Sequence, residues 1–124
     1  MLFDSSVLIA HLRGDPRATD LLLSVPSAER RVSVLSRVEL EGGMRTAEKA
    51  NVSALFAVLR LVPVTDMIAG RAGEYLRTYR RSHSSIDLVD YVIAASAEIH
   101  GARLQTLNVR HFPMFKDMKP AFGA

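Results

Sequence analysis

The chain has 124 residues, a formal net charge of +3, and 48% hydrophobic against 23% charged residues. This length and hydrophobic content predict a single domain over residues 1–124 and exclude a disordered chain. Because the chain has no cysteine, disulfides, thiolate zinc sites, iron–sulfur clusters and cysteine nucleophiles are excluded. With no long apolar run and no secretory signal at its start, we expect a cytoplasmic protein without a membrane partner.

Four short apolar segments, predicted to be strands, alternate with longer segments of helical periodicity. The predicted strands are 1–3, 31–34, 59–64 and 104–107. Capping residues predict helices that begin at Ser5 or Ser6, Asp15-Pro16, Ser36, Thr65 and Asp87. Since strands joined by helices of this length pair in parallel, we predict a three-layer α/β/α domain with a central parallel sheet.

Polar residues follow the predicted strands, at the edge of a parallel sheet where ligands usually bind. They are Asp4 after the first strand, Ser36 and Glu39 after the second, Thr65 and Asp66 after the third, and Thr106 and Asn108 at the end of the last. Asp87 and Asp90 open the helix that precedes the last strand. The sequence therefore predicts an acidic cluster at the carboxyl edge of the sheet.

Such a cluster needs a compensating charge. Two carboxylates 4 Å apart repel by about 1 kcal/mol in bulk water and about 4 kcal/mol near a protein surface. Mg²⁺ or Mn²⁺ can supply that charge, because both ions prefer hard oxygen ligands and are held by one or two carboxylates together with water and phosphate. A bound ion of this kind can acidify a water and neutralise the phosphate that the water attacks.

Structural alternatives exist for several of these acids. Glu39 lies three residues after Ser36, which is the spacing of a capping box, and Asp87 and Asp90 complement the dipole of a helix start. For Asp87 we favour the capping role, and for Asp4 we favour a ligand. Eight further acids are interpreted as caps or as solvated helix faces: Asp15, Asp20, Glu41, Glu48, Asp66, Glu74, Glu98 and Asp117.

Other catalytic signatures are missing from the sequence. There is no G-x-S-x-G, no P-loop and no G-x-G-x-x-G. The four histidines lack the i, i+4 spacing of a helical metal pair, and only His111, near the end of the last strand, is left open. The sequence therefore favours acid-bound metal chemistry over a serine triad or a nucleotide site.

Four segments of the chain resemble the ordered motifs of PIN-domain ribonucleases of the VapC toxin type. They are residues 2–9 (LFDSSVLI), 33–40 (SVLSRVEL) with Gly43, 88–97 (LVDYVIAASA) and 101–112 (GARLQTLNVRHF). The resemblance implies a metal-dependent endoribonuclease in which a metal-activated water hydrolyses an RNA phosphodiester. It also implies a PIN-like fold, a VapB-like antitoxin as partner and a homodimer.

The resemblance further implies a set of site residues. Asp4, Glu39 and Asp90 would be the catalytic acids that bind Mg²⁺ or Mn²⁺, and the hydroxyls of Ser6 and Thr106 would support them. Asn108 and His111 stand where many relatives have an acid. Asn108 can still offer a neutral oxygen to the metal, so we expect one ion to be bound more readily than two.

RNA binding is predicted to rest on arginine. Thirteen of the sixteen cationic residues are Arg, whose planar fork binds phosphate, although biased codon usage explains the same count. Arg37 and Arg110, beside motif residues, are the predicted RNA-binding residues.

Two other functions compete with a nuclease. One is a non-catalytic PIN-like module that binds RNA or protein, and the other is a phosphoacceptor domain, which lacks its expected lysine after the last strand. The apolar segment 52–61 is either core-facing, which we favour, or a partner surface. The RNA target, the identity of the antitoxin and the roles of Asp87 and His111 stay open.

Overall fold

The central element of the protein is a four-stranded, entirely parallel sheet, seen in a computed structural model that describes residues 1–123. Its strands are β1 (Leu2–Phe3), β2 (Arg31–Ser33), β3 (Arg60–Val62) and β4 (Leu104–Gln105). They lie in the order β3-β2-β1-β4, and Leu2 of β1 pairs with Arg31 on one side and Leu104 on the other. All four predicted strands are confirmed, and each is shorter than its apolar segment.

Within residues 1–123, six helices connect the strands. They are α1 (Ser5–Leu12), α2 (Pro16–Leu23), α3 (Val34–Gly43), α4 (Lys49–Ala57), α5 (Asp66–Tyr79) and α6 (Leu88–Ile99). Asp15, Thr65 and Asp87 are confirmed as N-caps, because each side chain accepts a hydrogen bond from a backbone N–H of the first turn. A 3₁₀ turn at Val109–His111 follows β4.

Two predicted capping assignments are wrong. Asp4, and neither Ser5 nor Ser6, precedes α1, and the two serine hydroxyls donate to carboxylates instead. α3 begins directly after β2, where Ser33 accepts a hydrogen bond from the backbone N–H of Leu35. Ser36 is fully buried inside the first turn of α3, so it does not cap that helix.

The sheet separates two hydrophobic layers, which confirms the α/β/α architecture. Leu2, Val62 and Leu104 pack with α5 and α6 on one face. Phe3 and Val32 pack with α1, α2, α3 and α4 on the other face. Neighbouring residues of β1 point to opposite layers because strand side chains alternate between the two faces of a sheet.

The segment 52–61 belongs mainly to the core. Val52, Leu55 and Phe56 are buried, as the core-facing interpretation predicts, and Val58 is the exposed large apolar side chain of the segment. The acidic residues of interest lie elsewhere, near the carboxyl ends of β1 and β4. These two strands are neighbours, and the order of the strands along the chain reverses between them. Open parallel sheets usually bind ligands at such a reversal. Across residues 1–123, no helix has both the length and the apolar character needed to cross a bilayer.

Candidate functional site

An open cavity of about 440 Å³ lies at the carboxyl edge of the sheet. Its walls come from the start of α1, the middle of α3, the start of α6 and the segment after β4. We call it the acidic cavity because four carboxylates line it: Asp4, Glu39, Asp87 and Asp90. Residues that are far apart in sequence meet here because parallel strands all end at the same edge.

Asp4 is held by hydroxyl groups. The residue is 5% exposed and follows β1, the strand between β2 and β4. Its Oδ2 accepts hydrogen bonds from Thr106 Oγ1 at 2.7 Å and from Ser6 Oγ at 2.9 Å. The backbone N–H groups of Asn108 and Leu107 donate to these two hydroxyls, which fixes their orientation. Ser6 and Thr106 are thus brought against Asp4.

Glu39 projects from α3 and is bound by a serine from another element. Ser5 Oγ donates to Glu39 Oε1 at 2.6 Å, so the capping box with Ser36 is wrong. Partial burial raises the pKa of Glu39, the Ser5 hydrogen bond opposes this effect, and the negative charges of Asp4 and Asp87 raise the pKa further.

Asp90 is buried in the first turn of α6 and has two structural partners. Its backbone N–H donates to Asp87 Oδ1 at 3.1 Å, and its Oδ2 accepts from the backbone N–H of Asp87 at 3.3 Å. His111 Nδ1 lies 3.1 Å from the same Oδ2. Burial, followed by the charge of Asp87, raises the pKa of Asp90 to about 6. The capping role of Asp87 is confirmed, and Asp90 completes a capping box while facing the acidic cavity.

The donor set of the acidic cavity suits a hard divalent cation, because it offers carboxylate oxygens together with Asn108 at the rim. Within residues 1–123, no three His, Asp or Glu side chains converge closely enough to form a ready ligand cage. Mg²⁺ does not require one, since it commonly retains several waters and binds one or two carboxylates. Burial is the largest cause of the raised pKa values of Glu39 and Asp90, and the charges of neighbouring carboxylates add to it.

One arginine lines the acidic cavity, and sequence reasoning missed it. Arg13 follows the end of α1 and forms no salt bridge within residues 1–123. Helical spacing could have revealed it, because residues 6, 9 and 13 fall on one face when the periodicity of α1 is continued to its C-cap. Ser5, which contacts Glu39, carried no comparable signal, since that contact is tertiary. His111, which the sequence left open, contacts Asp90.

The two predicted RNA-binding arginines lie outside the acidic cavity. Arg37 forms a salt bridge with Glu41 on the same helix and lies 5.0 Å from the ring centre of Phe56. Arg110 faces a separate cleft beside the 3₁₀ turn. The structure therefore brings together Asp4, Glu39, Asp90, Ser6, Thr106 and Asn108, and it separates Arg37 and Arg110 from them.

Comparison with known proteins agrees with this geometry. The PIN domain family model matches residues 1–115. The chain belongs to the PIN-domain family. Ribonuclease VapC10 of Mycobacterium tuberculosis is 53% identical, covering 99% of this chain and 93% of that protein. Ribonuclease VapC19 of the same organism is 44% identical and covers 98% of each chain. This PIN domain is therefore of the VapC type.

A solved structure confirms the PIN-like fold. A toxin–antitoxin complex from Klebsiella pneumoniae contains a chain that matches this PIN domain with a TM-score of 0.82. The match covers 99% of this chain and 98% of the other, at 21% identity. At that identity the likeness establishes the parallel three-layer architecture and carries no argument about individual residues.

Proposed function

We propose that this PIN domain is a metal-dependent endoribonuclease and the toxin of a type II toxin–antitoxin pair. The observation that carries the proposal is the acidic cavity, where Asp4 and Asp90 are 5% and 8% exposed and yet carry no Arg or Lys partner within residues 1–123. Buried carboxylates are normally paired with cations or metal ions. The names of VapC10 and VapC19, which are ribonucleases, support the same activity.

Asp4 and Asp90 would hold one Mg²⁺ or Mn²⁺, and Glu39 and Asn108 would complete its surroundings. When bound, such an ion lowers the pKa of a coordinated water and neutralises charge on a phosphate. Glu39 Oε1 is occupied by Ser5, which leaves Oε2 to orient a water or accept its proton. The raised pKa of Glu39 favours that role, because a proton acceptor works best when its pKa approaches the working pH.

The remaining assignments follow from the family. We propose that residues 1–124 form one domain in the cytoplasm, act on RNA, form a homodimer and bind a VapB-like antitoxin that blocks the acidic cavity. The Klebsiella pneumoniae structure supports the antitoxin as partner, because the chain of the same fold is there part of a toxin–antitoxin complex. Arg37 and Arg110 remain predicted RNA contacts, and Arg13 joins them because it lines the acidic cavity.

Cleavage of end-labelled total RNA in Mg²⁺, Mn²⁺ or EDTA tests the nuclease. We expect discrete fragments with either metal and none in EDTA. Asp4→Asn and Asp90→Asn should each lower the cleavage rate by roughly 100-fold or more, a size typical of removing one group that stabilises a transition state. Asp20→Asn is the matched control, because this exposed acid of α2 lies outside the acidic cavity.

Two outcomes would contradict the proposal. Full cleavage by Asp90→Asn after identical purification would show that the acidic cavity is not the nuclease site. A folded wild-type chain, freed of antitoxin, that cleaves no RNA with either metal would favour the non-catalytic binding module. Asn108 and His111 would then be the first residues to restore to acids.

A further inference from the structure

A second cleft adjoins the acidic cavity and has the opposite chemistry. It measures about 510 Å³ and lies between the loop that joins α5 to α6 and the 3₁₀ turn after β4. We call it the hydroxyl cleft. It is lined by Ser82, His83, Ser84, Ser85, Val109, Arg110 and Pro113, with no carboxylate among these residues.

The 3₁₀ turn Val109–His111 is a wall shared by the two sites. In a 3₁₀ helix, side chains three residues apart lie on the same face. Asn108 and His111 accordingly line the acidic cavity, while Val109 and Arg110 line the hydroxyl cleft. A chain of nucleotides that leaves the acidic cavity across this turn would next meet Arg110.

The opposite wall of the hydroxyl cleft is ordered by its own contacts. The backbone N–H of His83 donates to the carbonyl of Tyr79 at 2.8 Å, and the two rings meet edge to face with centres 5.5 Å apart. Ser82 Oγ donates to the Tyr79 carbonyl at 3.3 Å and lies 2.7 Å from His83 Nδ1, so the same hydroxyl holds both residues in place. Ile86, 8% exposed, anchors the loop in the core.

We propose that the hydroxyl cleft binds a backbone phosphate of single-stranded RNA, next to the nucleotide whose bond is cleaved in the acidic cavity. Arg110 offers a planar fork of N–H donors, and three serine hydroxyls and His83 add further hydrogen-bonding groups. This inference rests on the proposed nuclease function, and it gives Arg110 a specific role outside the metal site.

Charge is the physical reason for such a subsite. The acidic cavity carries four carboxylates against one arginine, Arg13, and repels phosphate until a cation is bound there, so neighbouring surfaces have to supply much of the affinity for RNA. Arg110 is exposed and forms no salt bridge within residues 1–123, and no acid lines the cleft to compete with a phosphate. Phosphate contacts of this kind position a nucleic acid without reading its sequence.

Binding of a short, fluorescein-labelled single-stranded RNA of mixed sequence tests the proposal. Fluorescence anisotropy is measured over a range of KCl concentrations, with Ca²⁺ present to neutralise the acids. We expect Arg110→Gln to weaken binding about tenfold at low salt and to reduce the slope of log K against log salt by about 0.7, the value for one lost contact to a single strand. Arg110→Lys should keep most of the slope.

The controls distinguish loss of a contact in the cleft from a general loss of positive charge and from misfolding, and they test phosphate binding without RNA. Arg60→Gln removes the same charge at the amino end of β3, far along the sheet from the cleft, and should bind RNA as the wild type does. His83→Gln should weaken binding less than Arg110→Gln. In a separate arm, inorganic phosphate is titrated against the amide NMR signals of residues 82–85, which reports on the cleft without RNA and checks that each variant is folded.

Each result decides the question. Equal RNA affinity and salt slope for the wild type and Arg110→Gln would overturn the proposal, even if inorganic phosphate moves the amide signals. Weakened binding by Arg110→Gln, with Arg60→Gln unchanged, supports it. Because binding is measured without cleavage, a wild type that binds RNA through Arg110 but never cuts it would refute the nuclease alone. A wild type that cuts RNA while Arg110→Gln binds normally would refute the cleft alone.

Discussion

Carboxylates on the surface between α5 and α6 have different partners from the carboxylates in the acidic cavity at the end of the sheet. On the helical surface, Arg71 pairs with Glu98 at 3.0 Å and with Glu74 at 2.9 Å, and the Tyr75 hydroxyl donates to Glu98. These contacts, led by Arg71, lower the pKa of Glu98. In the acidic cavity, burial and neighbouring carboxylates raise the pKa of Glu39 and Asp90.

The difference lies in what each region supplies to its acids. The α5–α6 surface provides an arginine, whereas the acidic cavity provides mainly neutral hydroxyl donors from Ser5, Ser6 and Thr106. Hydroxyls orient a carboxylate without neutralising it. Acids that are oriented but not neutralised remain available to a cation from solution, which is the property that a metal site needs.

The largest expected effect comes from removing the hydroxyl that links two ends of the chain. Thr106→Val keeps the shape of a buried side chain but leaves Asp4 without its 2.7 Å donor. We expect a loss of about 2 kcal/mol in the free energy of unfolding, the range for hydrogen bonds to charged groups. Urea unfolding followed by circular dichroism measures it. Thr106→Ser restores the donor and should recover most of the loss, and an equally large loss with Ser would mean that packing dominates.

A smaller effect, on the metal requirement, is expected from removing the Ser5 hydroxyl, which orients Glu39. Ser5→Ala frees Glu39, so we expect roughly a tenfold rise in the Mg²⁺ concentration needed for half-maximal cleavage, as when an outer partner of a metal ligand is removed. Ser24→Ala, an exposed hydroxyl at the end of α2, is the control. An unchanged metal requirement would show that Glu39 acts independently of Ser5.

The smallest expected effect comes from making the same Glu→Gln substitution in each of the two regions, in metal-free protein. Glu98→Gln should lower the free energy of unfolding at neutral pH by about 0.5 kcal/mol, small because Glu98 and Arg71 are both more than a third exposed. Glu39→Gln should leave it unchanged or raise it, since an uncompensated negative charge is removed.

The pH dependence of Glu98→Gln has a definite sign. Because the folded-state pKa of Glu98 is lowered, its contribution is complete above the unfolded value near 4.5 and disappears as the pH falls through the lower folded value. Urea midpoints of both variants in EDTA, at neutral and acidic pH, give the answer. Equal destabilisation by Glu98→Gln and Glu39→Gln at neutral pH would remove the distinction between the two regions.

The sequence by itself determined that the sheet is parallel and which acids lie at its carboxyl edge. Short apolar segments alternate with helical segments, and parallel pairing brings Asp4, Glu39 and Asp90 to one edge because they all follow or face strand ends. Helix starts were predictable where a second signal accompanies the cap, as at Asp15, which Pro16 follows at the first helical position. Ser33 and Ser36 offer the same capping chemistry within one turn, so local pattern could not choose between them.

Only the tertiary structure decided what each acid contacts. Ser5 is 34 residues from Glu39, and Thr106 is 102 residues from Asp4, so no local spacing connects them. The direction of Arg37, away from the acids, likewise depends on packing against Phe56 of another helix. Sequence patterns report which face of an element a residue occupies, whereas the charge around that residue depends on every element packed against it. The sequence therefore predicted which acids lie at the edge of the sheet, but it could not predict which groups contact them.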